Sequence, residues 1–141
     1  MKHTIVIIDG MGGGIGVQLI TRLRELAGGD AELVALGANA VAAERMVKAG
    51  AHRGASGENA LRVSVREGDF IMGPIGIVIP NSLMGEITPA MAEAVLSAPG
   101  ERILLPLQND HFFLAGLESQ SLAKAIEKGI AILLERMKAR S

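Results

Sequence analysis

The chain has 141 residues, a formal net charge of −1 and no cysteine. That length suits a single domain spanning residues 1–141, and the missing thiol excludes disulfides, thiolate metal sites and cysteine nucleophiles. The Lys and Arg residues are scattered, which excludes the clustered positive footprint that nucleic acid requires.

In chain order, "TIVII" (Thr4–Ile8) is a short β-branched run and predicts a buried strand. Five glycines follow within Gly10–Gly16, and then Ile15, Leu19, Ile20, Leu23 and Leu26 recur at helical spacing until Gly28-Gly29. "AELVALG" (Ala31–Gly37) predicts a second strand, and Asn39 caps the helix that ends at Gly50. An extended piece is expected near Ala51–Ala55 and a helix from about Gly57 to Arg66, although the Val63/Val65 alternation also suits a strand. "DFIMG" (Asp69–Gly73) is the next buried strand.

"PIGIVIPNSLMGE" is punctuated and predicts a loop with a short extended segment. Thr88 before Pro89 starts a helix whose inner face is Met91, Val95 and Leu96, and Pro99-Gly100 ends it. "RILLPL" predicts a strand, and "FFLAGL" is read as a candidate for another. A last helix runs from Ser119 or Ser121 to about Arg140, with Leu122, Ile126, Ile130, Leu133 and Met137 in one stripe. Strands alternating with helices predict a Rossmann-like three-layer α/β sandwich, its mostly parallel sheet of five to six strands covered on both faces.

Hydrophobic residues make up 49% of the chain and the only aromatics are three Phe. The core is therefore aliphatic, and the apolar surplus predicts a homo-oligomer, a dimer or higher. The longest uncharged stretch, Phe70–Gly85, is broken by Gly73, Pro74, Pro80 and Asn81. It falls short of the ~20 apolar residues that span a bilayer, and no secretory core precedes it. No membrane partner is expected, and the expected location is cytoplasmic.

The glycine turn lies where such sheets bind ligands, at the carboxyl end of the first strand. A helix start offers unpaired N–H groups and a positive dipole end, and glycine lets an anion approach without a Cβ in the way. Asp9, Gly10, Met11, Gly12, Gly13, Gly14, Ile15 and Gly16 are therefore candidate contacts to a small phosphate-bearing ligand. The alternative is a turn that only packs its helix on the sheet. Ile15 breaks the spacing G-x-G-x-x-G, whereas G-x-x-x-G-x-G fits Gly10, Gly14 and Gly16.

That second spacing resembles the nucleotide-binding turn of short-chain dehydrogenases, over the opening strand, turn, helix and second strand only. The resemblance implies NADP or NAD as cofactor. It does not carry the hydride chemistry, which in that family needs a Tyr that this chain lacks. At the end of the second strand, Gly37 and Asn39 stand where an acid for the ribose hydroxyls is usual. Arg45 beyond them tilts the choice toward NADP; a mononucleotide or another phosphate ester stays open.

Three further polar groups are expected to share that rim: "HRGASGEN" with His52, Arg53, Glu58 and Asn59; "PNSLMGE" with Asn81, Ser82 and Glu86; and "QNDH", Gln108–His111. Of these, Asn81 and Ser82 are taken to face the ligand. The plain alternatives are that Glu58 and Asn59 cap the helix, Asn81 and Ser82 satisfy turn amides, and Asp110 and His111 form a solvated turn. His3, His52 and His111 are too dispersed to form a metal site, and Ser82 lacks the G-x-S-x-G elbow of a hydrolase.

Across nearly its whole length the sequence resembles a small bacterial family of uncharacterised Rossmann-like proteins. The shared features are "IDGxGGGIG" (Ile8–Gly16), "ALGxNAxA" (Ala35–Ala42), "AGAxRGA(S/T)GENA" (Ala49–Ala60), "GPIGIVIxNSxxGEIT" (Gly73–Thr88) and "ILLPL" (Ile103–Leu107). Met11 stands where that family often has Gln. The resemblance implies the fold and no mechanism. Three functions remain: a nucleotide-binding domain acting as oxidoreductase or sensor; a non-catalytic subunit assembling through "GIAILL" (Gly129–Leu134) and "IVIPNSLMGE", its glycine turn structural; and a phosphosugar or acyl-phosphate enzyme with Glu58 or Glu86 as base.

Overall fold

A computed structural model describes residues 3–107 and 113–140. Within them, β1 (His3–Asp9), β2 (Ala31–Gly37), β3 (Arg53–Ser56), β4 (Phe70–Pro74) and β5 (Glu101–Leu105) form one all-parallel sheet in the order β3-β2-β1-β4-β5. The five helices are α1 (Gly14–Leu26), α2 (Ala40–Lys48), α3 (Glu58–Ser64), α4 (Pro89–Ser97) and α5 (Leu122–Ala139).

Strand β1 explains why the sheet is sandwiched. Ile5, Val6, Ile7 and Ile8 have no exposed surface, and successive side chains point to opposite faces. Ile5 and Ile7 pack with Leu19, Ile20, Met46, Ile126 and Leu133 of α1, α2 and α5, whereas Val6 and Ile8 pack with Leu61, Met91 and Val95 of α3 and α4. Each such buried aliphatic side chain contributes about 1.5–3 kcal/mol. The layers follow from topology: the chain steps from β1 to β3 in one direction and then crosses back to β4. Crossovers of one hand must therefore put α3 and α4 on the face opposite α1 and α2.

Local signals behave as their chemistry dictates. The Asn39 side chain accepts from the Ala42 amide and Thr88 from Met91, with Pro89 at the first helical position; Ser121 caps α5 through Lys124. The region Gly57–Arg66 is helical, with Val63 exposed and Val65 buried, so its Val alternation marks no strand.

Three expectations are corrected. Leu96 faces solvent, and the inner face of α4 is Met91, Ala92 and Val95. After Pro74 the chain forms a 3₁₀ turn (Ile75–Val78) and then successive turns, with no extended segment, because its amides bond locally. Residues 113–117 of "FFLAGL" form no strand, and the sheet has five strands among the described residues. No helix there is long and apolar enough to cross a membrane.

Candidate functional site

The strand order makes β1 and β4 neighbours whose following segments leave toward opposite faces, which opens a crevice at their carboxyl ends. On the β1 side, the Gly13 amide donates to Gly10 O at 2.8 Å and Gly13 itself, with φ of 74°, is the cap of α1. That left-handed conformation, with a Cβ position 3.0 Å from the Ala42 backbone, requires glycine. Gly16 meets a different demand: a Cβ there would collide with Met46 of α2 and crowd Asp9. Gly10 lies beneath Leu83 and Glu86, Gly12 beside Arg45, and Gly37 against the start of α2. Gly14 alone of the turn glycines has open space beyond its Cβ position, and among the described residues its amide has no acceptor.

Asp9 closes β1 and is only 4% exposed. Its carboxylate accepts from the Gly10 amide at 2.8 Å and the Gly16 amide at 2.7 Å. Burial lifts its pKa above the ordinary Asp value, against the pull of the Gly16, Gly10 and Ile15 amides, and the nearby Glu86 adds to the lift. Asp9 is thus turned inward, an internal anion on the first turn of α1.

A second carboxylate arrives from the β4 side. The segment Asn81–Ile87 is tied at its base by Asn81 N to Ile87 O at 2.6 Å, and it turns through Gly85 N to Ser82 O at 3.2 Å and Glu86 N to Leu83 O at 3.1 Å. Leu83, Met84 and Gly85 take φ of 54°, 56° and 88°, a single left-handed turn. Glu86 thereby reaches the glycine turn, where Oε1 accepts from the Met11 amide and Oε2 from Asn39 Nδ2 at 2.7 Å. Asn39 Nδ2 also donates to Met11 O at 2.9 Å, and Arg45 donates to Gly12 O. The carboxyl ends of β1 and β2 and the segment after β4 are therefore joined through Glu86, Met11 and Asn39.

Of the residues expected at the rim, Asn39 and Glu86 meet there, and Ser82 lies below it with its hydroxyl donating to Gly76 O. Asn81 is exposed in a left-handed conformation (φ of 66°). Glu58 and Thr88 bond to one another at 2.5 Å, joining the starts of α3 and α4, and Asn59 lines a groove between those helices. His52 and Arg53 correct the expectation: they lie at the opposite edge, where β3 begins. His52 N donates to Leu33 O, its Nδ1 accepts from Leu33 N at 2.9 Å, and Arg53 bridges Glu32 and Glu67. Gln108–His111 lie outside the described residues, among which no three His, Cys, Asp or Glu cluster as metal ligands.

The contact missed from sequence is Glu86 on the Met11 amide, across 75 positions. A free carboxylate in "MGEIT" was visible; its destination was not.

A family model described as "Domain of unknown function (DUF3842)" matches residues 4–138, and the chain belongs to that family. No curated protein matches the sequence.

Proposed function

We propose that this member of the family binds the phosphate of a nucleotide at the start of α1, with NADP or NAD as the first ligands to test. The observation that carries the reading is Gly14: a first helical residue with open space at its Cβ position, beside the crevice between β1 and β4. The phosphate would take the Gly14 amide, with the guanidinium of Arg45 within reach from its place on Gly12 O. Asp9 is then a brace that holds the turn through Gly10 and Gly16, not a ligand contact. The end of β2 offers Asn39 and no acid of its own, but Glu86 reaches Asn39 from the segment after β4, so NADP and NAD are tested side by side.

Gly14→Asp separates binding from folding. Its Cβ meets nothing within 4 Å, and an acid in the first turn suits the helix dipole, so the fold is expected to persist. Its charge would repel the phosphate. In a thermal-shift titration, NADP at ~100 times its Kd stabilises the native protein by about 2.7 kcal/mol, and Gly14→Asp is expected to abolish that shift. An equal shift in the variant means the phosphate lies elsewhere.

A second reading is a non-catalytic homo-oligomeric subunit in which the glycine turn is structural. It is favoured by the turn's own chemistry, since Asp9 and Glu86 already satisfy the Gly10, Gly16 and Met11 amides. No shift with any nucleotide, together with a dimer or larger species by light scattering, would select it.

A further inference from the structure

The segment Asn81–Ile87 has three properties that ordinary connections do not combine. It ends on buried anchors, Ile77 before it and Ile87 at its close, while its tip, Met84, is 90% exposed and holds nothing. Two of its non-glycine residues, Leu83 and Met84, occupy the left-handed region in succession, where a Cβ crowds the following carbonyl. And it delivers a carboxylate to the glycine turn: Glu86 sits on the Met11 amide and on Asn39. Among the described residues no Lys or Arg pairs with Glu86.

This carboxylate lies on the same turn to which the preceding section assigns a ligand's phosphate, and Asp9 already places one buried anion beneath it. A phosphate on the Gly14 amide would share one short turn with the Glu86 carboxylate on the Met11 amide, and like charges that close repel. We propose that Glu86 is a built-in competitor for the phosphate site: the strap Asn81–Ile87 holds the glycine turn closed, and ligand entry displaces it. The inference rests on the phosphate-binding reading and adds its regulation.

A phosphate carries more charge and more acceptor oxygens than the carboxylate it drives off, so it is the stronger occupant of the turn. Ejecting Glu86 also releases the left-handed turn, so conformational relief favours the open strap while the Met11 and Asn39 hydrogen bonds favour the closed one. The measured affinity is then the intrinsic affinity reduced by the fraction of molecules whose strap is open.

The test is calorimetric titration of NADP and of inorganic pyrophosphate into wild type, Glu86→Gln and Met84→Gly. Glu86→Gln keeps the side chain's size and removes its charge; it is expected to bind both probes about tenfold more tightly. Met84→Gly relieves the closed strap's backbone and is expected to bind both several-fold more weakly. Unchanged affinity in Glu86→Gln, with wild type binding, overturns the competitor and leaves phosphate binding standing. Weaker NADP binding by Glu86→Gln with pyrophosphate unaffected also overturns it, because Glu86 would then be a ribose contact.

If none of the three proteins binds either probe, the phosphate reading fails and the competitor falls with it. Hydrogen exchange in ligand-free protein tells these failures apart. Faster exchange of the Met11 amide in Glu86→Gln shows the strap contact holding that amide in solution; unchanged exchange overturns the strap irrespective of any ligand.

Discussion

At the amino-terminal edge of the sheet, carboxylates meet guanidinium groups; at the carboxyl-terminal edge they meet main-chain amides. On the first edge, Arg53 bridges Glu32 and Glu67, Arg136 pairs with Glu101 at 2.7 Å, and Arg140 lies 3.7 Å from both Asp69 and Glu101 while covering the Phe70 ring. On the second, Asp9 is bonded to Gly10 and Gly16, and Glu86 to Met11 and Asn39. Exposed ion pairs can be lost at little cost, because water replaces the partner. A buried carboxylate on orphan amides has no such substitute, and the amides are left bare if it goes. The first edge is a solvated seam. The second is an organised array of donors kept occupied by the chain itself.

The largest expected difference between the edges is in stability. Asp9→Ala strips acceptors from the Gly10 and Gly16 amides within the fold and should cost about 3 kcal/mol, read by urea denaturation. The same experiment across pH isolates the carboxyl itself. Because Asp9 titrates above its unfolded value when folded, the stability tied to its proton is complete below about pH 4. That stability is lost as the pH rises through the folded pKa. Wild type should therefore lose stability relative to Asp9→Asn on raising the pH from 4 toward neutrality; a parallel pair of curves would contradict the shift.

Next in size is Thr88→Ala, which removes the acceptor for Met91 N at 3.1 Å and the bond to Glu58, for about 1 kcal/mol. Its effect should fall on α4 first, seen as faster exchange of the Met91 amide. Smallest is Arg53→Ala on the opposite edge. Although it contacts two acids, its side chain is 49% exposed, and denaturation midpoints should place it within about 0.5 kcal/mol of wild type. A cost for Arg53→Ala approaching that of Asp9→Ala would erase the contrast between the edges.

Much of the fold was legible because its signals are local. The Ile5–Ile8 run can be satisfied only by burial on both faces, and Asn39, Thr88 and Ser121 each act on an amide three residues ahead. The start of α1 was legible for the same reason, since Gly13 sits in a conformation that glycine adopts freely. The misses are equally physical. Spacing alone places Leu96 inward, but the buried face of α4 centres on Met91, Ala92 and Val95, and Leu96, one further step round the helix from Val95, turns to solvent. Its place beside a strand puts His52 on the ligand rim by sequence alone; β3 begins just after it, so it stands at the other end.

Composition and periodicity by themselves determined that this chain alternates strands and helices, that its core is aliphatic, and that glycines open its first helix. These follow from side-chain volume, branching and backbone freedom, which each residue carries wherever it sits. Only the tertiary structure decided which anion fills the glycine turn. The order β3-β2-β1-β4-β5 sets the segment after β4 beside the end of β1, and a left-handed turn then swings Glu86 onto Met11, 75 positions earlier. Contacts at that separation depend on how strands are ordered in the sheet, and no local spacing encodes that.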